Sequence, residues 1–262
     1  MSIAALQVAR TGLDAQSERM RVIANNLANV NTTGFQRDRA EFATLAYQMM
    51  TAPGSRSSAE NQYAVGLNVG TGVRMTGTGR VTSQGTIQTS GNPLDLAIEG
   101  DGYFRIARPD GTTGYTRAGN FHLSNEGKIV TGDGMPLQPE IQIPDGAQSV
   151  TIGSDGTVSV TLQGQAEAQQ VGQIEIARFI NPAGLQAVGS NLYLETAASG
   201  SAQTGAAGAE GRGSIRQGAL EGSNVNVVQE LVDMIETQRA YEVNSKMISA
   251  TDEMLRNANQ QL

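Results

Sequence analysis

The sequence predicts an α+β protein: long N- and C-terminal helices forming a coiled-coil-like helical domain, with a central antiparallel β domain between them. Two observations predict the helices, an apolar stripe with seven-residue spacing at each end of the chain. A third predicts the sheet, because short alternating runs separated by Asp-Gly pairs fill a glycine-rich middle.

In the first segment Leu6, Leu13, Met20 and Leu27 fall seven apart. Ala9, Ile23 and Val30 repeat three residues later, and only Gln16 interrupts them. Arg10, Asp14, Glu18, Arg19 and Arg21 decorate the other side, as an amphipathic helix requires. The pattern predicts a helix from about Ser2 to Asn29, ending in the stretch "NNLANVNTTGF". That stretch is poor helix material. Asn25, Asn26 and Asn29 lie about one turn apart and offer amides that both donate and accept, so they are candidate contacts to neighbouring subunits. Gly34 then lets the chain turn away.

At the far end Leu220, Val227, Met234, Tyr241, Ile248, Leu255 and Leu262 are all seven apart. Leu231 opens a companion seam that turns polar at Gln238, Ser245 and Asp252, while Val228, Ile235, Met247 and Met254 widen the apolar surface. A helix with so broad a stripe touches more than one neighbour. Asn226 is the expected N-cap, with Gln229 three residues on and Glu230 near the positive helix end. Ser223 is the alternative cap.

Between the helices, "LDLAIEG", "YFRIA", "TVSVTL" and "QIEIARF" alternate like strands. Asp101-Gly102, Asp110-Gly111, Asp133-Gly134 and Asp155-Gly156 mark turns, since these residues tolerate positive φ. The expected organisation is a helix at 1–30, an extended linking arm at 31–70, the β domain at 71–220 and a helix at 221–262. Within the arm, Pro53, Gly54, Ser57 and Ser58 exclude a helix. The low-complexity piece Ala197–Gly213 reads as a mobile surface loop or an extended connector.

Composition excludes several function classes. A net charge of -7 argues against neutralising nucleic-acid phosphates. Without cysteine there is no disulfide framework and no thiolate metal site. The first residues carry no basic leader, and no 18-residue apolar run predicts a membrane span. The single histidine, His122, has no patterned partner that would make it a general base. Asp95, Glu99 and Asp101 could be imagined as a glycosidase pair, but turn and solvent-face roles explain all three. The run "GLNVGTGVRMTGTGR" lacks the lysine and the context of a phosphate loop. No catalytic residue, cofactor or metal is expected.

What remains is apolar surface. The candidate subunit interface comprises Leu6, Leu13, Met20, Ile23 and Leu27 from the first helix and Val227, Leu231, Met234, Ile235, Tyr241, Ile248 and Leu255 from the last, with the three asparagines above. Such surface suits an open, repeated contact between copies of the chain. Before assembly the two helices would lack tertiary cover and be largely disordered.

Three stretches carry a family resemblance: "GLDAQSERMRVIANNLANVNTTGFQRDRAEF", "LDLAIEGDGYFRI" with "YTRAGNFHLSNEGKIVTGDGMPLQP", and "SNVNVVQELVDMIETQRAYEVNSKMISATDEML". In this order they resemble bacterial flagellar rod and hook proteins. The resemblance implies a helical homopolymer, a straight hollow driveshaft lined by the helical termini with the β domain outside. It implies an arm, "YQMMTAPGSRSSAENQ", that stiffens the shaft by bridging adjacent copies. It further implies export through the flagellar type III apparatus without a cleaved signal. The partners it implies are proximal rod subunits, the hook protein and the surrounding outer rings of the basal body, with the rod spanning the periplasm.

Overall fold

The computed structural model describes residues 2–56, 62–163 and 167–260. The chain divides into two compact units: a helical unit of residues 1–27, 38–79 and 227–262, and a β unit of residues 28–37 and 80–226.

The helical unit holds α1 (Ser2–Ala28) and α2 (Val227–Gln260). α2 begins directly after Asn226, where a cap belongs, and carries Glu230 in its first turn, complementing the helix dipole. The helices run antiparallel, because Gly12 faces Asn244, Arg19 pairs with Asp233 at 3.4 Å and Asn26 meets Glu230. A β-carbon at Gly12 would lie 3.1 Å from Asn244 Nδ2, a tight approach to which the Asn244 amide would have to yield.

The segment 38–80 is not a bare linker. β1 (Asp38–Thr44), β2 (Tyr47–Thr51), β3 (Leu67–Gly70) and β4 (Val73–Arg80) form a ribbon in which β1 pairs with β4 and β2 pairs antiparallel with β3. The returning strand β4 therefore belongs with the arm, and residues 28–37 belong with the β unit, unlike the boundaries read from composition. Pro53 and Gly54 turn the chain without ending its pairing, since Gly54 has φ 78° and its amide donates to the Tyr63 carbonyl at 2.9 Å. Near the root of the ribbon, Gly72 packs on Thr11 of α1, whose Oγ1 accepts from the Val73 amide at 3.3 Å.

In the β unit, β5 (Ile87–Thr89) pairs with Ala219–Glu221, and β6 (Leu96–Glu99) pairs with Ser214–Gln217. β7 (Tyr103–Ala107) and β8 (Thr113–Thr116) sit centrally in a seven-stranded sheet with Gln186–Gly189, Leu192–Leu194, Glu175–Arg178, Gln203–Ala206 and Leu137–Gln138. Alternation works as expected in Thr157–Leu162, where Val158 and Val160 are fully buried between polar neighbours. The main core gathers Leu96, Ile98, Phe104, Ile106, Phe121 and Ile176, with Phe104 and Phe121 edge to face at 5.2 Å. A second cluster stacks Tyr103, Tyr115, Phe179 and Tyr193. Burial raises the Tyr103 hydroxyl above its ordinary pKa, and that hydroxyl donates to Gln36 Oε1 at 3.2 Å.

In the Asp-Gly pairs the glycines Gly102, Gly111, Gly134 and Gly156 sit at positive φ, and their aspartates do not. At one of them Asp155 accepts from the Thr157 hydroxyl at 2.7 Å and from the Thr157 amide at 3.0 Å, which holds its carboxyl below the usual range. The low-complexity piece differs from the expected loop. Gln203–Ala206 pairs along Glu175–Arg178, and Ser199 and Ala207 are buried. Small side chains allow that stretch to lie close against a sheet edge, where backbone bonds rather than apolar burial hold it.

Candidate assembly surface

On α1 the expected stripe faces inward: Ile23 and Ala9 are buried, and Leu6, Leu13, Met20 and Leu27 are half-buried. α2 is different. Met234 and Ile248 are half-buried, but the companion seam that is covered is Glu230, Thr237, Asn244 and Thr251 rather than the one opened by Leu231. Glu230 and Thr237 are 2% and 0% exposed, whereas Leu231 and Ile235 are 43% and 50% exposed. Val227 and Tyr241 are also exposed. The covered seam follows the Val227 series by three residues instead of four, because α1 opposes it with Gly12 and Asn26, which leave room for polar groups and bond to them. Thr237 and Thr251 satisfy their hydroxyls on the carbonyls four residues earlier, at 2.6 and 2.7 Å. Gln16, the interruption in the α1 stripe, has a buried Oε1 with no partner among the described residues. The side chain of Leu255 lies outside the described residues.

The asparagines divide their work. Asn26 is buried and bonded within its own chain: its Oδ1 accepts from the Asp38 amide at 2.9 Å, and its Nδ2 donates to the Asp38 carbonyl at 2.8 Å and to Glu230 at 3.2 Å. One side chain thereby docks the start of β1 and the first turn of α2 onto α1. Asn29 closes the helix end, its Oδ1 accepting from Thr32 Oγ1 at 3.1 Å, and Asn25 is exposed. Gly34 turns the chain at φ 66°, and its amide donates to the Glu221 carbonyl at 2.7 Å. We expect Asn26→Ala to cost the helical unit about 1–3 kcal/mol, because the Asp38 backbone and Glu230 lose a buried partner. Hydrogen exchange should show it, with the Asp38 amide faster and the Phe104 amide unchanged.

The ribbon carries much of the remaining open apolar surface. Met49 and Met50 are both exposed, beside a register shift in the pairing, and are joined by Tyr47, Leu67 and Val65, the last 81% exposed. Among the described residues, every exposed large apolar side chain except Leu123, Ile180 and Val188 belongs to the helical unit. A two-stranded ribbon is marginal alone in water. Pro53 and Gly54 are exposed at its bend, and Ser57 and Ser58 lie outside the described residues.

The residues weighed for catalysis do not converge. Asp95 accepts from Asn92 at 3.0 Å in a turn, Glu99 pairs with Arg216 at 3.6 Å, and His122 is exposed opposite Val130.

Among the described residues the open apolar side chains lie mainly on the terminal helices and the ribbon, a surface of the kind a structural subunit carries. Residues 6–36 match the family described as flagella basal body rod protein, residues 97–160 the flagellar hook protein FlgE/F/G D1 domain, and residues 216–261 the flagellar basal body rod FlgEFG protein C-terminal region. The chain is 48% identical over 258 residues to the flagellar basal-body rod protein FlgG of Buchnera aphidicola subsp. Schizaphis graminum, covering 98% of this chain and 99% of the relative. It is 49% identical over 257 residues to the FlgG of Caulobacter vibrioides, covering 98% of each, and 47% identical over 257 residues to that of Borreliella burgdorferi, covering 97% of each. The chain belongs to the flagellar basal-body rod protein family, a family of structural subunits.

Proposed function

We propose that this chain is the distal rod subunit, polymerising helically with copies of itself into a straight, rigid, hollow driveshaft that passes motor torque to the hook. The observation that carries this reading is the inverted burial of α2, with polar side chains covered and Leu231, Ile235 and Met247 open. A repeated contact that does not close on itself covers such a face along a filament. The two helices pack there as a coiled-coil-like inner domain, and Leu6, Leu13, Met20 and Ile248 complete it with the open residues of α2. The ribbon bridges neighbouring copies, which covers its exposed apolar side chains and stiffens the shaft. Proximal rod subunits, the hook protein and the outer rings are its neighbours in the periplasm, reached through the flagellar type III apparatus.

Electron microscopy of the purified chain at rising concentration tests the polymer directly. Deleting residues 51–62 should leave polymers that form but curve or flex, with a visibly shorter persistence length. Straight polymers from the deletion variant would remove the stiffening role from the ribbon.

A further inference from the structure

The chain passes between its two units at residues 27/28, 37/38, 79/80 and 226/227. Three of the segments next to these crossings, all on the β-unit side, meet at one side chain, Asn224. Its Oδ1 accepts from the Arg37 amide at 2.7 Å, and its Nδ2 donates to the Val81 carbonyl at 2.8 Å and the Ser83 carbonyl at 2.9 Å. Backbone bonds close the same circuit, from the Val81 amide to the Arg37 carbonyl at 2.9 Å and from the Asn224 amide to the Phe35 carbonyl at 3.2 Å. An amide is the group this junction needs, since it offers an acceptor to one segment and two donors to another.

Three residues earlier, Glu221 anchors the junction to the core. Its carboxylate pairs with Arg117 Nε at 2.7 Å, both side chains being almost wholly buried, and its other oxygen accepts from the Gly85 amide at 3.0 Å. Arg117 Nη1 donates to the Gly100 and Gly102 carbonyls at 2.9 Å each, and Nη2 to the Ile98 carbonyl at 3.3 Å. Those carbonyls belong to β6 and to its turn into β7. Asn224 ties the segments to one another, and the ion pair ties them to the sheet.

A buried ion pair is an inefficient source of stability, because desolvation offsets most of its attraction. What directional, fully partnered polar bonds provide is a single position for each group. We propose that Asn224, backed by the Arg117–Glu221 pair, is a mechanical lock through which load entering any one of the three segments is shared by all and delivered to the β core. This rests on the reading of the chain as a torque-carrying rod subunit.

Asn224→Ala in the full-length chain tests it. The amides of Arg37 and Val81 should exchange about tenfold faster while those of Phe104 and Ile176 keep their rates. In cells, rods should form and swimming in dilute medium should match the wild type. In viscous medium the fraction of cells keeping their flagella should fall roughly threefold, because forced opening follows the unfolding rate. Asn224→Asp, which keeps the acceptor but sets a carboxylate against two carbonyls, should behave alike. If the variant does not assemble alone, co-expression with the wild-type chain gives mixed rods whose fragility should rise with the variant's share. Unchanged exchange at Arg37 and Val81 overturns the lock. Faster exchange with normal retention of flagella under load overturns its mechanical role and leaves the rod reading standing. Failure of the wild-type chain to form rods is instead a failure of that reading.

Discussion

Replacing both Leu231 and Ile235 with aspartate should raise the concentration needed for polymerisation steeply while the β unit melts as in the wild type. The two residues lie one turn apart on the open face of α2 and are already about half in water, so the isolated subunit loses little by the change. The polymer loses much more. Fully burying a large aliphatic side chain is worth about 1.5–3 kcal/mol, so covering the exposed halves of two contributes roughly that amount per contact. Each introduced carboxylate adds a desolvation cost on top. Since about 1.4 kcal/mol is a factor of ten, the concentration needed for assembly should rise at least about a hundredfold. Sedimentation of polymer against total protein measures this, with circular dichroism of the soluble fraction as the folding control. Polymers at the wild-type threshold would show that the open face of α2 is not the contact.

Glu221→Leu should cost the β unit about 3–5 kcal/mol, because it leaves the Arg117 guanidinium buried without its countercharge. The two side chains are paired at 2.7 Å and shielded from water, so no solvent replaces the lost carboxylate. The double variant Arg117→Met with Glu221→Leu removes both charges, yet it should recover only part of the loss. Arg117 also serves the carbonyls of Ile98, Gly100 and Gly102, and Glu221 serves the Gly85 amide, and an apolar pair leaves these groups without partners. Urea unfolding followed through near-ultraviolet circular dichroism of the buried Tyr103, Tyr115 and Tyr193 cluster gives the numbers, as the chain has no tryptophan. A loss below about 1 kcal/mol for Glu221→Leu would mean that water reaches the pair.

Much of the fold was legible in local pattern. The seven-residue stripes located both helices, because one side of each element repeats an apolar choice at the helical period, but the second stripe was read from Leu220, which lies in the Ala219–Glu221 strand, and the cap at Asn226 marks where α2 begins. Alternation and Asp-Gly pairs located the strands and turns of the β unit for a similar reason: the pleat and the positive φ are properties of neighbours in sequence. The ribbon was harder. Tyr47–Thr51 leads into a stretch with the composition of a linker, and only pairing with Leu67–Gly70 turns it into strand.

The amino-acid sequence by itself determined that this protein has two amphipathic ends, a turn-rich β middle and more apolar helical surface than one partner covers. Which residues of α2 are covered was decided only in three dimensions. Gly12 and Asn26 on the facing helix admit Asn244 and bind Glu230, and that leaves Leu231 and Ile235 about half exposed. The same holds for Asn26, Asn224 and the Arg117–Glu221 pair, whose partners lie 12 to 204 residues away in the chain. A polar side chain announces its capacity to bond but not its partner, because hydrogen-bond geometry is settled by distance in space and leaves no period in the sequence.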